Sequence, residues 1–106
     1  MDASKRKRLR AAGWSVSDAA TFLKLTSEEA TLVEMRLALS RSLRERRLAA
    51  SLTQTELAKQ LGSSQSRVAK LEAGDPSVSL ELLIRALLSA GATRKDVANA
   101  LTRRVA

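Results

Sequence analysis

The side chains of this 106-residue chain that could do chemistry are hydrogen-bonding groups, concentrated in a short segment past its middle. A glutamine amide can form two hydrogen bonds with the edge of adenine, and arginine or lysine can do the same with guanine. A serine hydroxyl can reach a base or a phosphate. The segment supplies all of these types in close succession, as Ser64, Gln65, Ser66, Arg67 and Lys70. Their types and spacing therefore indicate recognition of a nucleic acid.

Catalysis fits the composition poorly. The chain contains no cysteine and no histidine, which excludes disulfides and zinc sites built from these residues. Histidine is also the commonest general acid or base in enzymes. The sequence has no glycine-rich phosphate loop and no pair of carboxylates at a useful spacing. We therefore expect no enzymatic activity, no catalytic residue, no cofactor and no metal site.

Helical periodicity predicts that the polar residues share one exposed face. At about 100° per residue, Val68 and Leu71 point inward. The opposite arc is formed by Ser66, Ala69 and Lys70. Gln65 and Arg67 flank this arc. An exposed arc of short and polar side chains is suited to the major groove of DNA.

Two short helices joined by a tight turn are predicted to position this arc. Thr53 followed by Glu56 is a capping-box pattern, which predicts a helix over residues 54–61 that ends at Gly62. Either of the next two serines, Ser63 or Ser64, caps a second helix that reaches Ala73. Gly74 ends the second helix. The apolar wedge between the two helices is formed by Leu57, Leu61, Val68 and Leu71.

A long helix is predicted to precede this pair. Thr26 and Glu29 form another capping-box pattern, and the helix should run from there to about Ala50. Its apolar face is expected to contain Leu32, Leu39 and Leu43, and its arginines are expected to be exposed, namely Arg36, Arg41, Arg44 and Arg46.

Two more helices are predicted to follow. Ser79 starts a helix that Gly91 ends, and Thr93 begins the last helix. Their apolar faces contain Leu80, Leu83, Ile84, Leu87 and Leu88 in the first, and Val97, Leu101 and Val105 in the second. With a short helix over residues 17–25, the predicted fold class is all-α.

The net charge of +8 indicates a polyanionic partner. Residues 1–30 are assigned to a basic arm and extension, and residues 31–106 to the folded domain. The arm, with its cations at residues 5–10, is either a solubilising tail or an arm that contacts the minor groove or the DNA backbone. Trp14 either packs on the core of the domain or anchors a partner. No apolar run approaches the ~20 residues of a membrane span, so we expect a cytoplasmic, nucleoid-associated protein without a membrane partner.

A specific set of residues carries a resemblance to a known family. They are Arg47, Leu52-Thr53-Gln54, Glu56-Leu57-Ala58, Gly62-Ser63-Ser64-Gln65-Ser66, Val68, Leu71-Glu72 and Gly74. With this set, residues 35–90 resemble the Cro and phage-repressor (XRE) family of helix-turn-helix proteins. The resemblance implies a lambda-repressor-like five-helix DNA-binding domain with a short N-terminal extension. It also implies a homodimer on a near-palindromic double-stranded DNA operator, with half-sites about one helical turn apart.

The same resemblance implies roles for individual residues. Gln54 matches a position that contacts a phosphate at the start of its own helix. Arg47 and Glu72 match an ion pair that ties the long helix to the second motif helix. The positions that match the groove-facing set are Ser64, Gln65, Ser66, Arg67 and Lys70.

A narrower similarity involves the N-terminal extension. Trp14 and residues 22–26, placed before a domain of this kind, are similar to HigA-type antitoxins, which neutralise a ribonuclease toxin and repress their own promoter. We therefore predict a sequence-specific DNA-binding transcriptional repressor, with an autoregulating antitoxin as the finer hypothesis. The alternative is a protein-interaction module whose main target is a partner protein such as a ribonuclease toxin.

Overall fold

The computed structural model describes residues 26–103, and this part of the chain is all-helical. Its five helices are α1 (Ser27–Ala49), α2 (Gln54–Leu61), α3 (Gln65–Ala73), α4 (Leu80–Ser89) and α5 (Arg94–Thr102). The all-α, five-helix prediction is therefore confirmed. The expected helix over residues 17–25, Trp14, the basic arm and Val105 lie outside the described residues. Across residues 26–103, no helix combines the length and the apolar character needed to cross a membrane.

Two compact units divide the chain, Met1–Glu34 and Met35–Ala106, and α1 runs through the boundary between them. In the first unit, the Thr26 hydroxyl accepts the backbone N–H of Glu29 at 3.1 Å and donates to the carboxylate of Glu29. This contact begins α1 close to the expected position. The boundary at residues 30 and 31 that the sequence suggested stays a prediction.

Side-chain caps set the start of each helix in the helix-turn-helix pair. The Thr53 hydroxyl accepts the Glu56 backbone N–H at 3.1 Å, and the Glu56 carboxylate accepts the Thr53 backbone N–H at 2.9 Å. This reciprocal box begins α2 as predicted, because it satisfies two donors that have no acceptor within the helix. Of the two candidate serines, Ser64 is the cap of α3, and its hydroxyl accepts the Arg67 backbone N–H at 3.2 Å.

Gly74 ends α3 in a conformation and a space that favour glycine. Its φ of +68° lies in the left-handed region, where a side chain is strained. A Cβ atom at this position would lie 2.8 Å from Cδ2 of Leu37. The absence of a side chain therefore lets the end of α3 approach α1 closely.

The core of the second unit is formed by leucines from four helices. The largest fully buried apolar side chains are Leu39, Leu43, Leu57, Leu71, Leu83, Leu87 and Val68. The predicted wedge between α2 and α3 is confirmed, with Leu57, Val68 and Leu71 buried and Leu61 packed against them. In α5, Val97 is buried and Leu101 packs against the core, as their spacing predicted.

Two leucines expected on apolar faces are exposed, so those predictions were wrong. Leu32 is 46% exposed, because the buried residues of α1 begin only at Ala38. Leu88 is 49% exposed, because Leu83 and Leu87 direct α4 into the core and the next residue lies about 100° away. Periodicity identifies which side of a helix is apolar, but it does not show where the neighbouring helices end.

Two arginines expected to be exposed have partners on other segments. Nε of Arg36 donates to the carbonyl oxygen of Val78 at 3.1 Å. Nη2 of Arg46 lies 3.2 Å from Oδ2 of Asp96, and about a third of its side chain is exposed. Both expectations were wrong because a long side chain can bring its charged end from the core edge to a distant partner. Arg41 and Arg44 are exposed, as predicted.

Candidate nucleic-acid interface

Helix α3 separates its buried and exposed residues as the sequence predicted. Val68 is fully buried and Leu71 is 2% exposed, so one side of the helix is fixed in the core. The polar residues at the start of α3 and along its other side are all exposed, namely Ser64, Gln65, Ser66, Arg67 and Lys70. Ala69, expected to point outward, is half-buried. The arrangement leaves the polar groups free to meet a partner while the backbone that carries them is anchored.

An ion pair between α1 and α3 holds this helix in place. Nε and Nη2 of Arg47 donate to the two carboxylate oxygens of Glu72 at 2.6 and 3.0 Å. Only 12% of the Arg47 side chain and 4% of the Glu72 side chain are exposed. The hydrogen bond to Glu72 raises the pKa of Arg47 above its ordinary value. Nη1 of Arg47 also donates to the carbonyl oxygen of Leu52, which fixes the turn before α2.

A relay of hydrogen bonds extends from this ion pair to the exposed surface. Nε2 of Gln54 donates to Oε1 of Glu72 at 3.3 Å, and Oε1 of Gln54 accepts Nε2 of Gln65 at 2.7 Å. The direction follows from chemistry, because a carboxylate only accepts hydrogen bonds. Gln54 must therefore turn its amide nitrogen towards Glu72 and its oxygen towards Gln65. This leaves the Gln65 side chain with its own oxygen and one N–H available to a partner.

The serines at the start of α3 combine a local role with an exposed one. The Ser64 hydroxyl caps the helix and lies 3.2 Å from the hydroxyl of Ser66. Together with Arg67 and Lys70, they border a groove of about 270 Å³. Residues from the segment after α3 complete its wall, namely Ser77, Val78 and Leu82. The sequence interpretation did not include Ser77, although its place beside Pro76 in a turn after α3 marked it as a surface residue.

The site brings some of the expected residues together and leaves others apart. Gln54 and Gln65 contact each other, and Ser64, Ser66, Arg67 and Lys70 share the groove. Gln54 itself is half-buried, with its amide engaged on both sides. Within residues 26–103, no cluster of three carboxylates is placed to hold a metal ion. The exposed side chains of the site supply hydrogen-bonding groups and positive charge.

Comparison with known proteins agrees with this geometry. Two short helices in a fixed pair, with polar groups on the outer side of the second, form a helix-turn-helix. A family model described as helix-turn-helix matches residues 43–100, which is more than half of the chain. The chain belongs to this XRE-type helix-turn-helix family, and it is a DNA-binding transcription regulator. Neither the curated proteins nor the solved structures gave a match.

Proposed function

We propose that this protein is a sequence-specific transcriptional repressor that occupies its operator through α3. The observation that carries the proposal is the relay from Arg47 through Glu72 and Gln54 to Gln65. It fixes the orientation of an exposed amide before any partner is bound. A polar group that is already oriented loses less conformational entropy on binding, so the arrangement favours recognition of a defined partner.

Each exposed residue then has a distinct part in reading DNA. The free oxygen and N–H of Gln65 match the donor and acceptor of adenine in the major groove, and Arg67 matches guanine. Lys70 supplies a positive charge for a phosphate, and Ser64 and Ser66 supply hydroxyl groups at the start of the helix. Gln54 is proposed to contact a phosphate at the start of α2, where backbone N–H groups lack acceptors within the helix.

A repressor with a single short reading helix gains specificity by acting as a pair. We propose that two copies bind as a homodimer, which places their α3 helices in successive major grooves about 34 Å apart. The operator is then a near-palindrome with two half-sites. A monomer would read only a few base pairs, which is too little to select one site in a genome.

Selection of bound sequences from a random pool of double-stranded DNA tests this function directly. Enrichment of two inverted half-sites, with centres about one helical turn apart, is the expected result. A single enriched half-site would contradict the homodimer. Failure to enrich any sequence at low salt would contradict sequence-specific binding itself.

The finer hypothesis is that the repressor is the antitoxin of a toxin–antitoxin operon. Its support is the similarity of the N-terminal extension with Trp14 and residues 22–26, which lie almost entirely outside the described part of the chain. Co-expression with the product of the adjacent gene tests it. Rescue of growth from a toxic ribonuclease, together with co-purification, is expected. An adjacent gene without a small toxic product would contradict the antitoxin role and leave the repressor role intact.

A further inference from the structure

Arg36 connects α1 to the segment that follows the reading helix. Its Nε donates to the carbonyl oxygen of Val78 at 3.1 Å, across 42 positions of sequence. Val78 is only 5% exposed, so its packing in the core and its hydrogen bond to Arg36 both restrain this residue. Such a contact constrains the backbone on either side of Val78.

The segment before Val78 is a compact turn that places Ser77 on the surface. The backbone N–H of Val78 donates to the carbonyl oxygen of Asp75 at 3.0 Å, and Pro76 occupies the second position of the turn. The Ser77 backbone N–H donates to Oδ1 of Asp75 at 2.8 Å. Ser77 is exposed between these fixed points.

Ser77 also borders the groove beside α3. Lys70, which is proposed to face a phosphate, lines the same groove of about 270 Å³ beside Arg67, so positive charge and a hydroxyl lie around one open space. An anion with hydrogen-bond acceptors fits this combination, and next to a helix in the major groove that anion is a backbone phosphate.

We propose that this groove binds a DNA phosphate, that Ser77 contacts it, and that Arg36 is the positioning residue for Ser77. The proposal rests on DNA binding through α3. Arg36 does not touch DNA in this scheme. It holds the carbonyl group of Val78 and thereby the turn. The turn then keeps Ser77 close enough to α3 for both to face the same phosphate.

The test compares Ser77→Ala, Arg36→Met and the double variant on the selected operator and on a scrambled duplex of the same length. Each single variant should bind about fivefold more weakly, the size of one hydrogen bond. The loss should be equal on both duplexes, since a phosphate contact carries no sequence information. The double variant should bind no more weakly than Arg36→Met, because Arg36 acts through Ser77.

The controls separate positioning from charge and from folding. Arg94→Met removes one positive charge from the exposed surface of α5 and should leave affinity unchanged. Arg36→Lys keeps a donor for the Val78 carbonyl and should bind more tightly than Arg36→Met. Because Ser77 is exposed, Ser77→Ala tests the groove even where Arg36→Met does not fold.

Several results would overturn the proposal. If Ser77→Ala binds as tightly as the wild type, Ser77 does not contact the phosphate. If a folded Arg36→Met binds as tightly as the wild type, Arg36 does not position Ser77. Losses that multiply in the double variant would show that Arg36 acts independently of Ser77. A loss confined to the operator would assign Ser77 to a base. If the unmodified protein selects no DNA at all, the proposed function fails instead, which is a separate outcome.

Discussion

At the scale of single residues, the pair of Arg47 and Glu72 is the most buried ion pair in the described part of the chain. Removing one member leaves a nearly buried charge without its partner, which typically costs about 3–5 kcal/mol. We therefore expect Arg47→Met to lower the free energy of unfolding by about this amount, measured by urea denaturation.

A matched substitution on the surface distinguishes burial from charge. Arg85 pairs with Glu81 within α4, and 73% of its side chain is exposed. An exposed pair of this type contributes less than about 1 kcal/mol, so Arg85→Met should change stability little. Equal losses in the two variants would show that the burial of Glu72 has no energetic weight.

We propose that Gln65 reads a base directly, since the hydrogen-bond relay from Gln54 ends at this exposed side chain. Gln65→Ala should weaken binding to the selected operator by about 1–3 kcal/mol and relax the preference for one base pair. The thermal midpoint should stay close to that of the wild type, because the side chain is exposed. Gln60→Ala, which removes the same exposed side chain from α2, is the control for binding and stability. Unchanged affinity of Gln65→Ala would remove Gln65 as a base-reading residue, and unchanged affinity of Arg67→Ala as well would remove α3 as the reading helix.

At the scale of helices, Glu45 and Asp96 form ion pairs that link α1 with α5 and the residue that follows it. Asp96 also takes part in the capping box at the start of α5. The pKa of Glu45 is lowered by its hydrogen bonds with Arg103, and the pKa of Asp96 by the Thr93 backbone N–H and hydroxyl and then by Arg46. A carboxyl group with a lowered pKa in the folded state favours folding above its ordinary pKa. That contribution is lost as the pH falls through the lowered value.

The free energy of unfolding should therefore decrease as the pH falls below the ordinary pKa values, which are 4.5 for Glu45 and 3.8 for Asp96. Urea denaturation at pH 6 and pH 3 measures the change. Glu45→Gln with Asp96→Asn should show a smaller difference between the two pH values than the wild type. Arg103→Gln should remove the part of this difference that comes from Glu45, because Arg103 lowers the pKa of Glu45. The same difference in all three proteins would contradict this origin.

Local sequence signals predicted the helices well because the signals act locally. The capping box at Thr53 and the glycines after α2 and α3 set their bounds within a few residues of each element. The sequence did not predict that Arg36 would bond to Val78 or that Arg46 would bond to Asp96. The partner of a long side chain depends on how the helices pack, and an arginine can reach many different acceptors. The sequence alone therefore does not identify which acceptor it bonds. For the same reason, the sequence predicts a phosphate contact for Gln54 but does not predict its hydrogen bonds to Glu72 and Gln65.

At the scale of the whole molecule, the positive charge determines how strongly DNA binding responds to salt. The net charge is +8, and each cation that neutralises a phosphate releases counterions. The logarithm of the binding constant should therefore fall linearly with the logarithm of salt concentration, with a slope of about −0.9 for each phosphate contacted.

The slope can be assigned to individual cations with one matched pair of lysines. Lys70→Ala removes a cation beside the groove at α3 and should make the slope shallower by about one unit. Lys95→Ala removes the same exposed side chain from α5, outside the residues that line the groove, and should leave the slope unchanged. Fluorescence anisotropy on the selected operator at 50–300 mM salt, roughly the range in which such slopes are steep, gives all three values. Equal slopes for the two variants would place the phosphate contacts elsewhere. A slope near zero for the wild type would contradict phosphate contacts by this surface and would favour a protein over DNA as its main partner.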